Sequence, residues 1–219
     1  MKEILCNSAY FGVTVSLIGY GAGIMLKKKF KYAFLNPLLI SIIFVIGVVT
    51  LCGVDYESYE NSAQYLSYLL TPATVCLAVP LYQQMTLLRK NLAAVACGIL
   101  AGVLASLGSV LLLAFLFGLE HDVYVTLLPK SITTAIGMGV SEELNGIVTI
   151  TVAVIIITGV VGNVLADFVY KLFHVTHPVA KGVGLGTSAH AIGTAKALEM
   201  GEIEGAMGGL SIAVAGILT

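Results

Sequence analysis

The sequence predicts an all-α polytopic membrane protein. Three observations carry that expectation. Of the residues, 58% are hydrophobic and 11% charged, against about a quarter charged in soluble domains. Uncharged runs of spanning length recur between short charged clusters. The later runs are interrupted by Pro, Gly, Ser and Thr. A chain of 219 residues this poor in charge cannot cover itself with polar surface, and lipid removes the need. About six to eight transmembrane segments are expected, with two re-entrant or broken-helix hairpins and an internal inverted repeat. A net charge of -1 excludes nucleic acid as a partner, since that calls for a basic face. There is no Trp, so interfacial anchoring falls to Tyr10, Tyr32, Tyr56 and Tyr59.

The run Ile4 to Leu26 is uncharged and long enough to span about 30 Å at about 1.5 Å per residue. It lacks a small-residue cleavage site followed by a polar run, so it reads as a retained helix rather than a signal peptide. Lys27, Lys28, Lys29 and Lys31 follow, then a second uncharged run, Tyr32 to Val54, and an acidic loop at Asp55, Glu57 and Glu60. The positive-inside rule puts the lysines in the cytoplasm and the N-terminus outside. Asn61 to Leu88 is a third uncharged run, broken by Pro72 and Pro80 within residues 63–85. A proline inside a helix removes a donor and clashes with the preceding turn, so both read as hinges. Arg89 and Lys90 return the chain to the inside. Asn91 to Gly118 is a clean span with Gly98 and Gly102 at the spacing that suits close helix packing, as Gly19 and Gly23 do in the first run. Residues 1–118 thus form scaffold-like helices.

Residues 119–219 are a hairpin-bearing core of the same transmembrane domain. Glu120, His121 and Asp122 mark an outside turn. Val123 to Gly146 then carries Pro129, Lys130, a Ser/Thr cluster and a Glu pair. Read as a hairpin that returns outside, it makes Ile147 to Leu165 run inward and leaves Lys171 and Lys181 cytoplasmic. Lys181 to Gly201, again rich in Gly, Ser and Thr, then enters from the inside. Ala206 to Thr219 begins a helix shorter than a span, whose continuation beyond Thr219 is expected. The repeat is suggested by Leu69 to Thr74 against Leu127 to Ser131, and by Glu142 and Gly146 against Glu199 and Gly205. Broken helices in corresponding positions point to a transporter site.

Backbone that is broken at membrane depth must face protein or a water-filled cavity. Half-helix N-termini there offer free N–H groups to a carboxylate. Lys130 reads as the counter-charge of an anionic substrate or as a snorkelling residue; its Ser and Thr neighbours favour the former. Ser131, Thr133, Thr134, Thr187, Ser188 and Thr194 are candidate substrate hydroxyls. His190 is a candidate proton carrier, donor or packing residue, and Glu142 a candidate coupling site or an interfacial helix end. Pro129 joins Pro72 and Pro80 as a hinge. His121, His174 and His177 lie at helix ends, and Asp167 is expected among headgroups. Cys6, Cys52, Cys76 and Cys97 have no metal-binding spacing and read as small buried hydrophobes. Ser131 with His190 lacks the context of a serine hydrolase, and the stretch Thr187 to Thr194 is no phosphate loop. Neither an enzyme, a cofactor nor a metal site is expected.

The motifs NPLLISIIFV from Asn36, LLTPATVCLAVPLYQQ from Leu69, LLPKSITTAIGMGVSEELNGI from Leu127 and KGVGLGTSAHAIGTAKALEMGEIEGAMGGL from Lys181 resemble the LrgB/CidB family of bacterial membrane proteins. Together they cover nearly the whole chain. The sequence departs at Ala135, where the resemblance leads one to expect proline. The family is described in two ways. One is antiholin-like or holin-like regulation of murein hydrolase activity and cell lysis, with a small LrgA/CidA-type membrane partner. The other is transport of carboxylates such as pyruvate, glycolate and glycerate. The resemblance implies a multi-pass protein of the bacterial plasma (inner) membrane. A homo-oligomer, specifically a dimer, is also expected. The leading expectation is a transporter of a small monocarboxylate by alternating access; the alternative is the antiholin-like regulator.

Overall fold

The computed structural model describes residues 8–30, 37–76 and 78–219. Cys6, Lys31 and Tyr32 lie outside the described residues, as do the side chains of Leu70, Thr71 and Thr74. All regular structure among the described residues is helical. The chain divides into two compact units, Met1–Cys76 and Leu77–Thr219.

In the first unit, helix α1 (Phe11–Phe30) ends on Lys27, Lys28 and Lys29, whose charges suit a helix C-terminus. It packs on α2 (Pro37–Cys52) through two glycines. A Cβ on Gly23 would lie 2.6 Å from the Pro37 carbonyl oxygen, and one on Gly19 would lie 2.9 Å from Phe44. Side chains there would push the helices apart. Helix α3 (Tyr56–Ser67) begins where an acidic loop was expected. Asp55 is its N-cap, accepting from the Ser58 amide at 2.9 Å, and Glu57 lies in its first turn. Carboxylates are favourable at both positions, so the acidic cluster starts a helix. Phe11, Val15 and Val54 form a small core with Tyr59 packed against it. The Tyr59 hydroxyl bonds Ser16 Oγ at 2.9 Å, which ties α3 to α1. Helix α4 (Leu70–Cys76) closes this unit.

The second unit starts with α5 (Ala78–Gln83) and α6 (Met85–Lys90). Pro72 in α4 and Pro80 in α5 both fall in the first turn of a short helix, where a missing N–H costs little. The prolines therefore start new helices after each interruption. Helices α7 (Leu92–Phe117) and α10 (Val148–Leu172) follow, about 39 and 37 Å long by helical rise. They are the two described helices long and apolar enough to cross a membrane, fewer than the crossings expected. Only 22% and 17% of their apolar windows are buried. A soluble core helix of such hydropathy would be mostly buried. Leu104, Leu112, Phe115 and Phe117 on α7, with Ile157 and Phe168 on α10, point outward. Cys52, Cys76 and Cys97 are free and exposed, which corrects the expectation that they are buried.

Between α7 and α10 lie α8 (His121–Leu127) and α9 (Thr134–Glu143). Pro129 sits in the break between them. Helix α9 runs antiparallel to α10: Gly137 faces Ile155, and Ser141 Oγ bonds Thr151 Oγ1 at 2.7 Å. Thr151 also reaches the Thr126 carbonyl at 3.0 Å, and Thr126 Oγ1 accepts from the Ile147 amide at 2.8 Å. Both arms are thus tied to the start of α10, and the chain turns back between them.

Helix α11 (Pro178–Met200) is interrupted at Ala189 and His190, with φ/ψ of -129°/19° and 42°/-136°. It folds back on itself there: the backbone of Gly193 meets Leu185, which would be two turns away in a straight helix. Its first arm runs parallel to α7, with Gly98 against Val183 and Gly102 against Thr187. Its second arm turns at Gly201 into α12 (Glu202–Leu218). The core of this unit joins Val95, Ile99 and Val103 of α7, Val183 of α11 and Ala206 and Met207 of α12.

Candidate functional site

The two turn-backs come to one face of α7 from opposite ends. The first begins beyond the C-terminus of α7 and brings Ser131 Oγ to within 2.9 Å of Ser106 Oγ. The second advances from the other end and brings Thr187 against Gly102, where a Cβ would be 2.6 Å from Thr187 Oγ1. Residues 102 and 106 are one turn apart on the same helix face, about 15 Å from either end of α7 by helical rise. A cavity of about 10 Å³ between the tips is lined by Ser106, Ser131 and Thr187, room for about one water molecule. A larger cleft of about 500 Å³ runs between α7 and the first arm of α11. It is lined by Asn91 and His177 at one end and by Gly102 and Thr187 at the other. Thr187 therefore lines both the cleft and the cavity.

Lys130 is the charge at this meeting point. Its Nζ donates to Ser131 Oγ at 3.1 Å and to Ser106 Oγ at 3.3 Å. No carboxylate pairs with it among the described residues. An ammonium ion has three protons to place, and a half-buried cation served only by hydroxyls favours an arriving anion. Thr133 is the N-cap of α9 without a side-chain cap bond, and Thr134 opens that helix. Both are half-buried beside the free N–H groups of the first turn.

His190 takes a different position from the one its sequence context suggested. It is buried, and its ring N–H donates from Nε2 to the Ile155 carbonyl at 2.8 Å. Gly159 makes the slot: a Cβ there would lie 2.6 Å from both Cε1 and Nε2 of the ring. Asn163 Nδ2 donates to the Ile192 carbonyl at 3.1 Å one turn further on. These bonds anchor the second tip to α10, and none of the four residues lines the cavity between the tips. His190 holds a positive φ, which is uncommon outside glycine. Strained residues of this kind persist where their surroundings over-determine them, and they cluster at working sites.

The remaining candidates are scattered. Thr194 Oγ1 is buried between α11 and α12 and has no hydrogen-bond partner among the described residues. Ser188 is exposed and donates to the Gly184 carbonyl at 2.7 Å. Glu142 is exposed at the end of α9 and is not brought to the tips. Asp167, expected among headgroups, is partly exposed and pairs with Lys196 at 2.8 Å. Ser106, Gly159, Asn163 and Lys196 were missed by sequence reasoning. For Asn163, a lone amide in an apolar run, that placement was the available signal.

The family profile described as LrgB-like family matches residues 16–219. Curated relatives named "Antiholin-like protein LrgB" from Bacillus mycoides and Bacillus cereus are 38% identical over 211 residues, covering 96% of this chain and 92% of the relative. The protein of that name from Bacillus anthracis matches to the same extent. No solved structure matches.

Proposed function

The chain belongs to the LrgB-like family, and from that premise we propose that it is an antiholin-like membrane protein of the bacterial plasma membrane. It restrains murein hydrolase activity and lysis together with a small LrgA/CidA-type partner. The observation that carries this reading is 38% identity over 96% of the chain to proteins of that name. The test is complementation of a strain lacking its own protein of this type. The chain restores lysis resistance when co-expressed with the partner; unchanged lysis in the complemented strain refutes the role.

The buried lysine favours a second reading, of the molecular act rather than the cellular role. The chain carries a small monocarboxylate of the pyruvate, glycolate or glycerate class by alternating access. Several features support it: Lys130 served by two hydroxyls, turn-backs that enter from opposite ends, and a cleft that leads to one of their tips. In this reading the turn-backs are re-entrant hairpins of an inverted repeat, and the substrate carboxylate replaces Ser106 and Ser131 as the partner of Lys130. The 10 Å³ cavity is the closed state of the site, because a three-carbon acid needs several times the space of one water. Ser131, Thr133, Thr134 and Thr187 bond the remaining oxygens. His190 positions the second tip and Pro129 shapes the first. Uptake of labelled pyruvate and glycolate into proteoliposomes tests this, with Lys130→Gln as the decisive variant. A charge-assisted bond is worth about 1.5–3 kcal/mol, so saturable uptake falls about 10- to 100-fold. Unchanged uptake in the variant refutes the site. Lysis control that survives the loss of uptake separates the two roles.

A further inference from the structure

A second cavity lies at the far end of α10, away from the tips. It measures about 490 Å³, and its lining includes Lys171, His174, Lys181 and Tyr170. Two acidic side chains also line it, and one of them is ion-paired. Asp167 is bonded to Lys196 at 2.8 Å. Glu204 is buried in the first turn of α12 and turns its carboxylate back toward Gly201, where the helix N-terminus favours it. Lys171 and Lys181 have no ion-pair partner among the described residues and outnumber the Glu204 carboxylate, so the net unpaired charge of the cavity is positive.

Next to it, and sharing Tyr170, is a groove of about 380 Å³. One wall is Gly162, Leu165, Ala166 and Val169 of α10, a single helix face at i, i+3, i+4 and i+7. The facing wall is Gly184, Leu185 and Ser188 of α11. Gly162 lets α10 close on Ala189 and Gly184 lies beside Tyr170, and the groove runs along α10 for about 10 Å by helical rise. The Tyr170 hydroxyl donates to the Lys181 carbonyl at 2.7 Å, fixing the junction between cavity and groove. A cationic cavity at the end of an apolar trough aligned with a spanning helix has the polarity of an amphiphile. A soluble anion has no use for the trough, and a zwitterionic lipid brings a cation of its own against the lysines.

We infer that this cavity and groove hold one anionic phospholipid, its phosphate on Lys171 and Lys181 and an acyl chain between α10 and α11. The inference needs only that α10 spans the bilayer with its C-terminal end on the cytoplasmic side, not that the chain transports anything. Basic pockets between spanning helices on the cytoplasmic side take such headgroups, and the charge pattern of the sequence puts both lysines on that side.

The test is native mass spectrometry on the full-length chain in mild detergent. It is titrated with phosphatidylglycerol and with phosphatidylcholine of identical acyl chains, with and without millimolar inorganic phosphate. The wild type is expected to bind phosphatidylglycerol selectively. Lys171→Gln combined with Lys181→Gln lowers that preference about 30-fold, about five-fold for each lysine. Val169→Trp, which fills the trough, weakens both lipids and leaves their ratio unchanged. Unaltered circular dichroism shows that each variant folds. Equal binding of the two lipids by the wild type, or full selectivity in the double variant, overturns the inference. So does displacement of the lipid by inorganic phosphate, which would mark a soluble-anion site.

Discussion

Gly159→Ala tests the anchoring of the second tip. The new Cβ would stand 2.6 Å from Cε1 and Nε2 of His190 and 2.9 Å from Ile192 Cδ1. The isoleucine terminus can rotate away, but the imidazole is buried and bonded to the Ile155 carbonyl. Overpacking of this kind costs about 1–3 kcal/mol, and loss of the His190 bond adds about 1 kcal/mol. Better helix propensity of alanine returns about 1 kcal/mol. The net expectation is a loss of about 1–3 kcal/mol. In a His190→Ala background the obstruction is gone, and only the propensity gain remains. The same substitution then becomes neutral or stabilising, a coupling of about 2–4 kcal/mol. Urea unfolding in detergent micelles, followed by circular dichroism, measures all four members of the cycle. If Gly159→Ala costs the same with and without the imidazole, the slot is not what fixes the tip.

Other consequences are equally measurable. Ser106→Cys with Ser131→Cys, in a background free of other cysteines, is expected to form an intrachain disulfide under mild oxidation, because the parent oxygens are 2.9 Å apart; a chain that stays reduced contradicts the meeting of the first tip with α7. Thr151→Val removes the hydroxyl that joins Thr126 and Ser141. It should destabilise the protein by about 1–3 kcal/mol in the same unfolding assay. Asp167→Asn breaks the pair with Lys196. With the aspartate partly exposed, the cost is about 1 kcal/mol, and exchanging the charges in Asp167→Lys with Lys196→Asp recovers it.

What was legible in the sequence was punctuation. Pro129 and the glycines from Gly182 to Gly201 marked interruptions in otherwise apolar chain, and turn-backs occupy both places. Gly98 and Gly102 announced close packing, and the first arm of α11 lies against them. Partners across space were not legible. Nothing in the run from Asn91 to Gly118 set Ser106 apart as the residue that meets Lys130. The pairing of His190 with Ile155 depends on a backbone carbonyl, which carries no side-chain signature. Glu142, at the end of the predicted hairpin in sequence, lies on the surface because α9 carries it back to the start of α10. Cysteine burial failed for a different reason. In lipid an apolar position need not be an interior one, so hydrophobic neighbours say little about which side of a helix faces protein.

Thr187 has a consequence for electrical work. It forms the floor of the cleft and one wall of the cavity beyond it. If α7 spans the bilayer and water fills the cleft, a membrane voltage does not fall evenly along the roughly 39 Å of the helix. It falls mainly from residue 102 to the far end of α7, about 22 Å of helical rise. A unit charge crossing the septum between residues 102 and 106 then meets about a quarter of the about 2.3 kcal/mol available per 100 mV. A shift of one side chain's length there does more electrical work than the same shift in a helix without a cleft.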